Sequence, residues 1–319
     1  MIGILCSNNK EKFYSWRLHS IFSELMKRDS DRLFVVFSIL NIDLLKGKVK
    51  GFLVSKTGVR PIETDIPPII YNFSFQKSSE DIRNLRRLSE IDNIVLVNGT
   101  NRFDQNMIME ILCSSNILKK YVLNFSIYDK NKSNFMPRED TDYVVIPSKG
   151  SNIDKIYYIS QEQKNIKIEG NEYIKRGESL DYINEFLCQR YLLFIEASNI
   201  LKHNNCPIII RTYIQRGYNG TFESLGRRIN ADIKIDEVVT ENTDIASLNI
   251  SNYIAKFIPS IGTFFIDLIL DKNNAPYLLH FGGFDLWLLN NLKEKEYKKD
   301  FYKNLIYLSE FYERSQKGE

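Results

Sequence analysis

No run of about 18 apolar residues, the length a membrane-crossing helix needs, occurs in this 319-residue chain. The apolar start of MIGILCSNNKEKFYSW breaks off at Ser7, too early for a secretion signal. No membrane association is therefore expected. Charge of one sign is also missing: Lys+Arg number 43 and Asp+Glu 40, a net charge of +3. Without a strong basic bias there is no electrostatic case for nucleic acid as a partner. Cysteine is sparse. Cys6, Cys113, Cys188 and Cys206 are far apart and form no Cys-x-x-Cys pair, which argues against a structural zinc site. They read as reduced, mostly buried thiols of a cytoplasmic protein. Internal repeats and low-complexity linkers are absent as well. What remains is ordinary for a folded chain, with 43% hydrophobic and 26% charged residues, and long enough for two or three structural units.

The first third alternates apolar runs with helical patterns. Ile2–Cys6, Leu33–Ser38, Pro68–Tyr71 and Ile94–Val97 read as buried strands, and Tyr14–Lys27 and Glu80–Ile91 as helices. Val49–Val54 and Gly58–Ile62 form a candidate hairpin. This alternation predicts a partly parallel α/β sheet. A second region begins near Asn98, with a helix over Asp104–Ser115, a polar loop over Asp129–Thr141 and paired strands at Tyr143–Pro147 and Lys155–Ser160. Leu180–Phe186 looks helical. Antiparallel strands follow from Gln189 to about Ile235, with a turn at Gly217–Gly220, then a helix over Ile245–Phe257. The clearest hairpin joins Thr263–Leu270 to Ala275–Phe281 through Asp271–Asn274. Helices are expected near Phe284–Leu292 and Tyr297–Tyr312. The organisation read from this pass is 1–97, 98–190 and 191–319.

A set of landmarks runs through the chain in fixed order: Gly3-Ile4-Leu5; Val49-Lys50-Gly51; Pro67-Pro68-Ile69-Ile70-Tyr71-Asn72; Asn98 and Phe103-Asp104-Gln105; Ile146-Pro147 before Gly150-Ser151 and Ile156; Gln189; and Ile209-Ile210-Arg211-Thr212-Tyr213-Ile214-Gln215. Arg227 and Arg228 follow, and Asp267 and His280-Phe281-Gly282 lie on the last hairpin. In this order the sequence resembles ATP-grasp proteins, most closely the YheC/YheD family, associated by name with the endospore coat. The resemblance covers about residues 1–310 and is weak at any one place. It implies an α/β ATP-grasp fold, with 1–97 as a small N-terminal pre-ATP-grasp domain, 98–190 as the first ATP-grasp subdomain with its lid, and 191–319 as the second with C-terminal helices. It further implies ATP-driven activation of a carboxylate as an acyl phosphate, which an amine then attacks. Two lysines would hold the phosphates, and an Asp, a Glu and an Asn would supply the hard oxygen ligands magnesium prefers.

This sequence departs from that set. Gln105 and Ile146 stand at the lysine positions, His280 replaces the Glu, Gly282 the Asn, and Ile209 the Asp before the inner Arg. Asp267 is the one metal ligand retained. A register shifted by one or two residues would bring in Lys149 as the lid lysine and Asp285 as a ligand. The remaining positions each carry two readings. Arg211 clamps a phosphate or carboxylate, or forms a structural ion pair. Arg227 and Arg228 are neighbours on a strand, so one faces in and one out. Asp267, inside FFIDLIL, is a site carboxylate or a hydrogen-bonded core Asp. His280 reads as a satisfied core histidine rather than a ligand. Gly150-Ser151 cradles phosphate through backbone N–H groups or is only a lid turn. Gln189 meets an adenine edge or is simply a residue at a strand start.

Two expectations about function follow from the resemblance. One is a degenerate, catalytically impaired ATP-grasp protein that binds a partner, an active ATP-grasp paralogue, or a peptide substrate, with no cofactor of its own. The other is an active carboxylate–amine ligase using ATP and magnesium, with Arg211, Arg227 and Arg228 as catalytic residues, Lys149, Gly150, Ser151 and Gln189 against the nucleotide, and Asp267 on the metal. Cytoplasmic or spore-associated localisation goes with either. In an ATP-grasp fold, Arg211, Arg227 or Arg228, and Asp267 should converge on one cleft.

Overall fold

The computed structural model describes residues 1–6, 33–76, 78–129, 138, 141–148, 156–162, 165–170, 173–177, 191–204, 206–217, 219–231, 233, 235–284 and 295–317. The expected helices at Tyr14–Lys27 and Leu180–Phe186, and nearly all of that at Phe284–Leu292, lie outside them.

Three main sheets organise the described chain. The first contains β1 (Ile2–Cys6), β2 (Phe34–Ser38), β3 (Ile42–Asp43), β4 (Lys48–Ser55), β5 (Gly58–Asp65), β6 (Ile69–Phe73) and β7 (Val95–Val97), in the order β3-β4-β2-β1-β6-β7 with β5 on β4. β1 runs parallel to both β2 and β6, and β6 parallel to β7. Apolar residues buried on both faces, such as FVVFS in β2, are what a parallel sheet requires. α1 (Ser79–Ser89) follows β6; Ser78 caps it by accepting from the Asp81 N–H.

The second sheet has β8 (Phe125–Asp129), β9 (Tyr143–Pro147), β10 (Tyr157–Glu162), β11 (Asn165–Gly170), β12 (Tyr173–Gly177) and β13 (Tyr191–Glu196), in the order β12-β11-β10-β9-β13-β8. All its pairings are antiparallel. The β9–β10 pairing is as the sequence pattern predicts; β11 and β12 are additional, because polar alternation such as NIKIEG carries little signal of burial. α2 (Gln105–Cys113) precedes this sheet, capped by Asp104.

A two-stranded ribbon, β14 (Lys202–His203) and β15 (Cys206–Pro207), leads into the third sheet. It holds β16 (Ile209–Arg216), β17 (Phe222–Ile229), β18 (Thr263–Leu270) and β19 (Pro276–Gly283), antiparallel in the order β17-β16-β18-β19. α3 (Glu237–Ile254) begins earlier than the apolar pattern from Ile245 suggests, because Asp236 caps its first turn. α4 (Lys295–Lys317) closes the described chain.

Both faces of the third sheet are covered. On one face Ile214, Ile266 and Leu268 share a core with Ala246, Ile250 and Ile254 of α3 and with α2 and the second sheet. On the other, Tyr213, Leu225 and Phe265 join Phe284, Phe301 and Leu305 and the N-terminal strands through Ile2, Ile4 and Tyr71. Burial on both sides explains why every residue of β18, TFFIDLIL, is buried. The expectation of buried cysteines is corrected: Cys113 and Cys206 are exposed and Cys6 half-buried. Among the described residues, no helix is long and apolar enough to cross a membrane.

Candidate functional site

Strand register builds the site. Arg211 pairs with Arg228 on one side and with Asp267 on the other, and Asp267 pairs with His280. Residues directly opposite one another point to the same face. Arg228, Arg211, Asp267 and His280 therefore form one row across the four strands. Phe265 and Gly282, also paired, lie two residues away on that face. Arg227 pairs with Thr212 and takes the opposite face, where its Nη2 donates to Asp244 Oδ2 of α3 at 2.7 Å. The expected convergence thus brings Arg211 and Asp267 together, puts Arg228 on their face but exposed, and leaves Arg227 out, because neighbours on a strand alternate sides.

Asp267 is fully buried. A carboxylate in that setting needs a compensating partner, and Arg211 supplies it with two bonds: Nε donates to Oδ1 at 2.7 Å and Nη2 to Oδ2 at 3.0 Å. This is the planar, two-point pairing for which the guanidinium is shaped. Burial alone would raise the Asp267 pKa; the Arg211 charge, with His280 beside it, outweighs burial and holds the carboxyl below its usual value. His280 Nδ1 stands 3.3 Å from Oδ2. The Arg211 guanidinium lies 3.7 Å from the centroid of the Phe265 ring, a cation–π contact shielded from water. The same ring sits over Gly282 so closely that a Cβ built there would fall inside it.

Gln105 and Ile146, at the two lysine positions of the resemblance, are committed elsewhere. Gln105 is fully buried at the start of α2, where its Nε2 donates to the Phe281 carbonyl at 2.9 Å and its Oε1 accepts from the Phe281 N–H at 2.8 Å. Its amide thus pairs with β19 as a further peptide group would. Ile146 is buried on β9 beside Leu193, in the core shared with α2. Lys149, Gly150, Ser151 and Gln189 lie outside the described residues, as does Asp285.

Phe265 and Asn101 are not among the residues that carry the resemblance, whereas Asn98 is. Phe265 is the floor under Arg211. Asn101 repeats the Gln105 arrangement on Phe284, and Asn98, at φ 58°, accepts from the Gly262 and Thr263 N–H groups. The left-handed backbone of Asn98, in Val97-Asn98-Gly99, is one that Asn tolerates better than most residues.

The magnesium site that the resemblance implies does not fit these residues. Both Asp267 oxygens already accept from a cation, His280 offers a nitrogen rather than a hard oxygen, and at Gly282 the space for a side chain is taken by Phe265. Among the described residues no group of three or more His, Cys, Asp or Glu is placed to hold a metal ion.

No family model matches this sequence, and no curated protein matches it. Solved structures do match over nearly the whole chain. D-alanine-D-alanine ligase from Helicobacter pylori aligns with a TM-score of 0.56 at 12% identity, covering 97% of each chain. The D-cycloserine synthetase DcsG gives 0.56 at 9% identity, over 96% of this chain and 100% of that one. N5-carboxyaminoimidazole ribonucleotide synthetase from Thermotoga maritima gives 0.53 at 11%, over 95% and 75%. Identities this low speak to architecture alone, and on that architecture the chain has the ATP-grasp fold.

Proposed function

We propose that this protein is a divergent ATP-grasp protein of YheC/YheD type that has given up ligase chemistry and serves as a binding subunit beside an active ATP-grasp enzyme. The observation that carries this reading is Asp267: the one retained metal ligand spends both oxygens on Arg211. Phosphoryl transfer in this fold depends on cations that neutralise the transferring group. Gln105 and Ile146 replace the phosphate-holding lysines, and both are buried in structural roles. What persists is the ATP-grasp fold, which suits recognition of a paralogue or of the peptide such an enzyme modifies.

The test is a pair of measurements on the purified protein with about 1 mM MgATP. ADP release should not exceed the protein-free blank. The melting temperature should stay within about 1 °C, whereas a ligand at 100 times its Kd adds about 2.7 kcal/mol and shifts it by several degrees. Co-elution with an intact ATP-grasp paralogue is the expected positive result. A second reading is an active, ATP- and magnesium-dependent carboxylate–amine ligase, favoured by Asp267 and Arg211 standing on paired strands of the third sheet. It requires Arg211 to release Asp267, and magnesium-dependent ADP formation would establish it in place of the first.

A further inference from the structure

A wholly buried carboxylate at the centre of a sheet must be neutralised by something. In a metal-dependent site that role belongs to a divalent ion. Here three features act together to give it to a side chain. The Arg211 guanidinium covers both Asp267 oxygens edge-on. The Phe265 ring supports its flat face at 3.7 Å. Gly282 supplies the empty volume that lets the ring lie there, since any side chain at 282 would displace it. The guanidinium, the ring and the glycine are thus one fitted set, and the glycine that removes a ligand is the same glycine that admits the ring.

We infer that Arg211 is the resident cation of this position: its guanidinium stands on Asp267 in place of a divalent ion, so the chain neither needs nor takes one there, and removing the guanidinium opens a cation site. The carboxylate would be left facing the vacated space, with His280 Nδ1 3.3 Å from its Oδ2. A carboxylate suits Mn²⁺ as it does Mg²⁺, and free Mn²⁺ has a paramagnetic resonance signal by which its uptake is read. The inference rests on the same Asp267 geometry as the proposed function, but its test involves neither ATP nor a partner.

The probe is MnCl2 alone, read by depletion of the free-Mn²⁺ paramagnetic resonance signal and by the melting temperature at matched ionic strength. Wild-type protein should deplete no Mn²⁺ and melt at the same temperature with MnCl2, MgCl2 or chelator. Arg211→Ala should melt roughly 6–20 °C lower, as expected for stranding a buried charge. It should take up Mn²⁺ at millimolar concentration, recover part of the lost melting temperature with it, and recover likewise with added guanidinium. Arg211→Ala combined with Asp267→Asn should do neither. If Arg211→Ala does not fold, Arg211→Ser, which also vacates the guanidinium's space, carries the same test. Mn²⁺ uptake at this site by the wild type, or indifference of the Arg211 variant to both Mn²⁺ and guanidinium, overturns the inference. Mn²⁺ uptake by the wild type would also remove the ground for the proposed function, indifference of the variant would leave that function standing, and MgATP turnover by the wild type overturns the proposed function alone.

Discussion

Two Arg–Asp pairs lie on opposite faces of the same sheet and behave differently. Arg211 meets Asp267 through two bonds in a setting where the side chains are 11% and 0% exposed. Arg227 meets Asp244 through one ion-pair bond at 2.7 Å, with the side chains 28% and 27% exposed. Burial opposes ionisation of both carboxylates, yet their pKa values move in opposite directions. Asp267 ends below its ordinary value, while burial pushes Asp244 up despite Arg227 and Ser224. Two-point contact with a stacked guanidinium, with His280 beside it, outweighs complete burial at Asp267; the single ion-pair bond from Arg227, with Ser224 beside it, does not outweigh partial burial at Asp244. Proximity of opposite charges alone therefore says little, and the number of bonds and the fixing of the cation decide.

The largest effect should come from breaking the buried pair on one side. Arg211→Met strands the Asp267 carboxylate and should cost about 3–5 kcal/mol in denaturant unfolding. Pairing it with Asp267→Leu should recover most of the loss, because charge and countercharge leave together. A double variant as unstable as the single one would show that packing around Arg211, not charge, holds this row. Next in size is Gly282→Asn, which restores a family ligand but drives a side chain into Phe265. Overpacking of this kind costs about 1–3 kcal/mol; adding Phe265→Ala should relieve the clash, and no relief would mean the ring is not the obstacle. Gln105→Leu should cost a similar 1–3 kcal/mol, since the buried Phe281 peptide loses both bonds.

Acid titration sharpens the comparison. The folded pKa of Asp267 lies below its unfolded value, so its contribution is complete above the unfolded value, near 3.8, and lost as pH falls through the folded value. Asp244 has the opposite sign: its folded pKa is raised, so stability declines as pH rises through it. Stability measured against pH should therefore lose part of its acid-side fall in the Arg211→Met, Asp267→Leu double variant. In Asp244→Asn it should lose part of the decline between the acid range and neutrality. The smallest effect is expected of Arg227→Met, about 0–1 kcal/mol, as for other part-exposed pairs. A loss as large as that of Arg211→Met would erase the distinction between the two faces.

Much of the architecture was readable as pattern. β2, β6 and the β18–β19 hairpin are apolar runs bounded by polar turns, and Asp104-Gln105 marks a capped helix start. Such elements announce themselves because burial of a whole strand or helix face leaves a period in the sequence. β11 and β12 were not readable, since their polar residues alternate without that signature. The start of α3 was misplaced for a related reason: its first turns are set by the Asp236 cap rather than by apolar spacing. In the candidate site, the alternation of Arg227 and Arg228 followed from strand geometry, but which of the two shares a face with Arg211 depended on register.

The amino-acid order alone settled which residue types are available: one Asp in an apolar strand, one Arg on a strand before it, and a histidine and a glycine two residues apart on β19. That is a matter of inventory, and no fold can add a lysine at Gln105 or a carboxylate at His280. Only the tertiary structure decided what Asp267 does. Arg211 and Asp267 are distant in sequence and meet because β16 pairs with β18 in a register that sets them directly opposite. Phe265 and Gly282 meet by the same rule, two pairs along from Asp267 and His280. A single-residue slip in either pairing would send these side chains to opposite faces and leave the carboxylate buried without its cation.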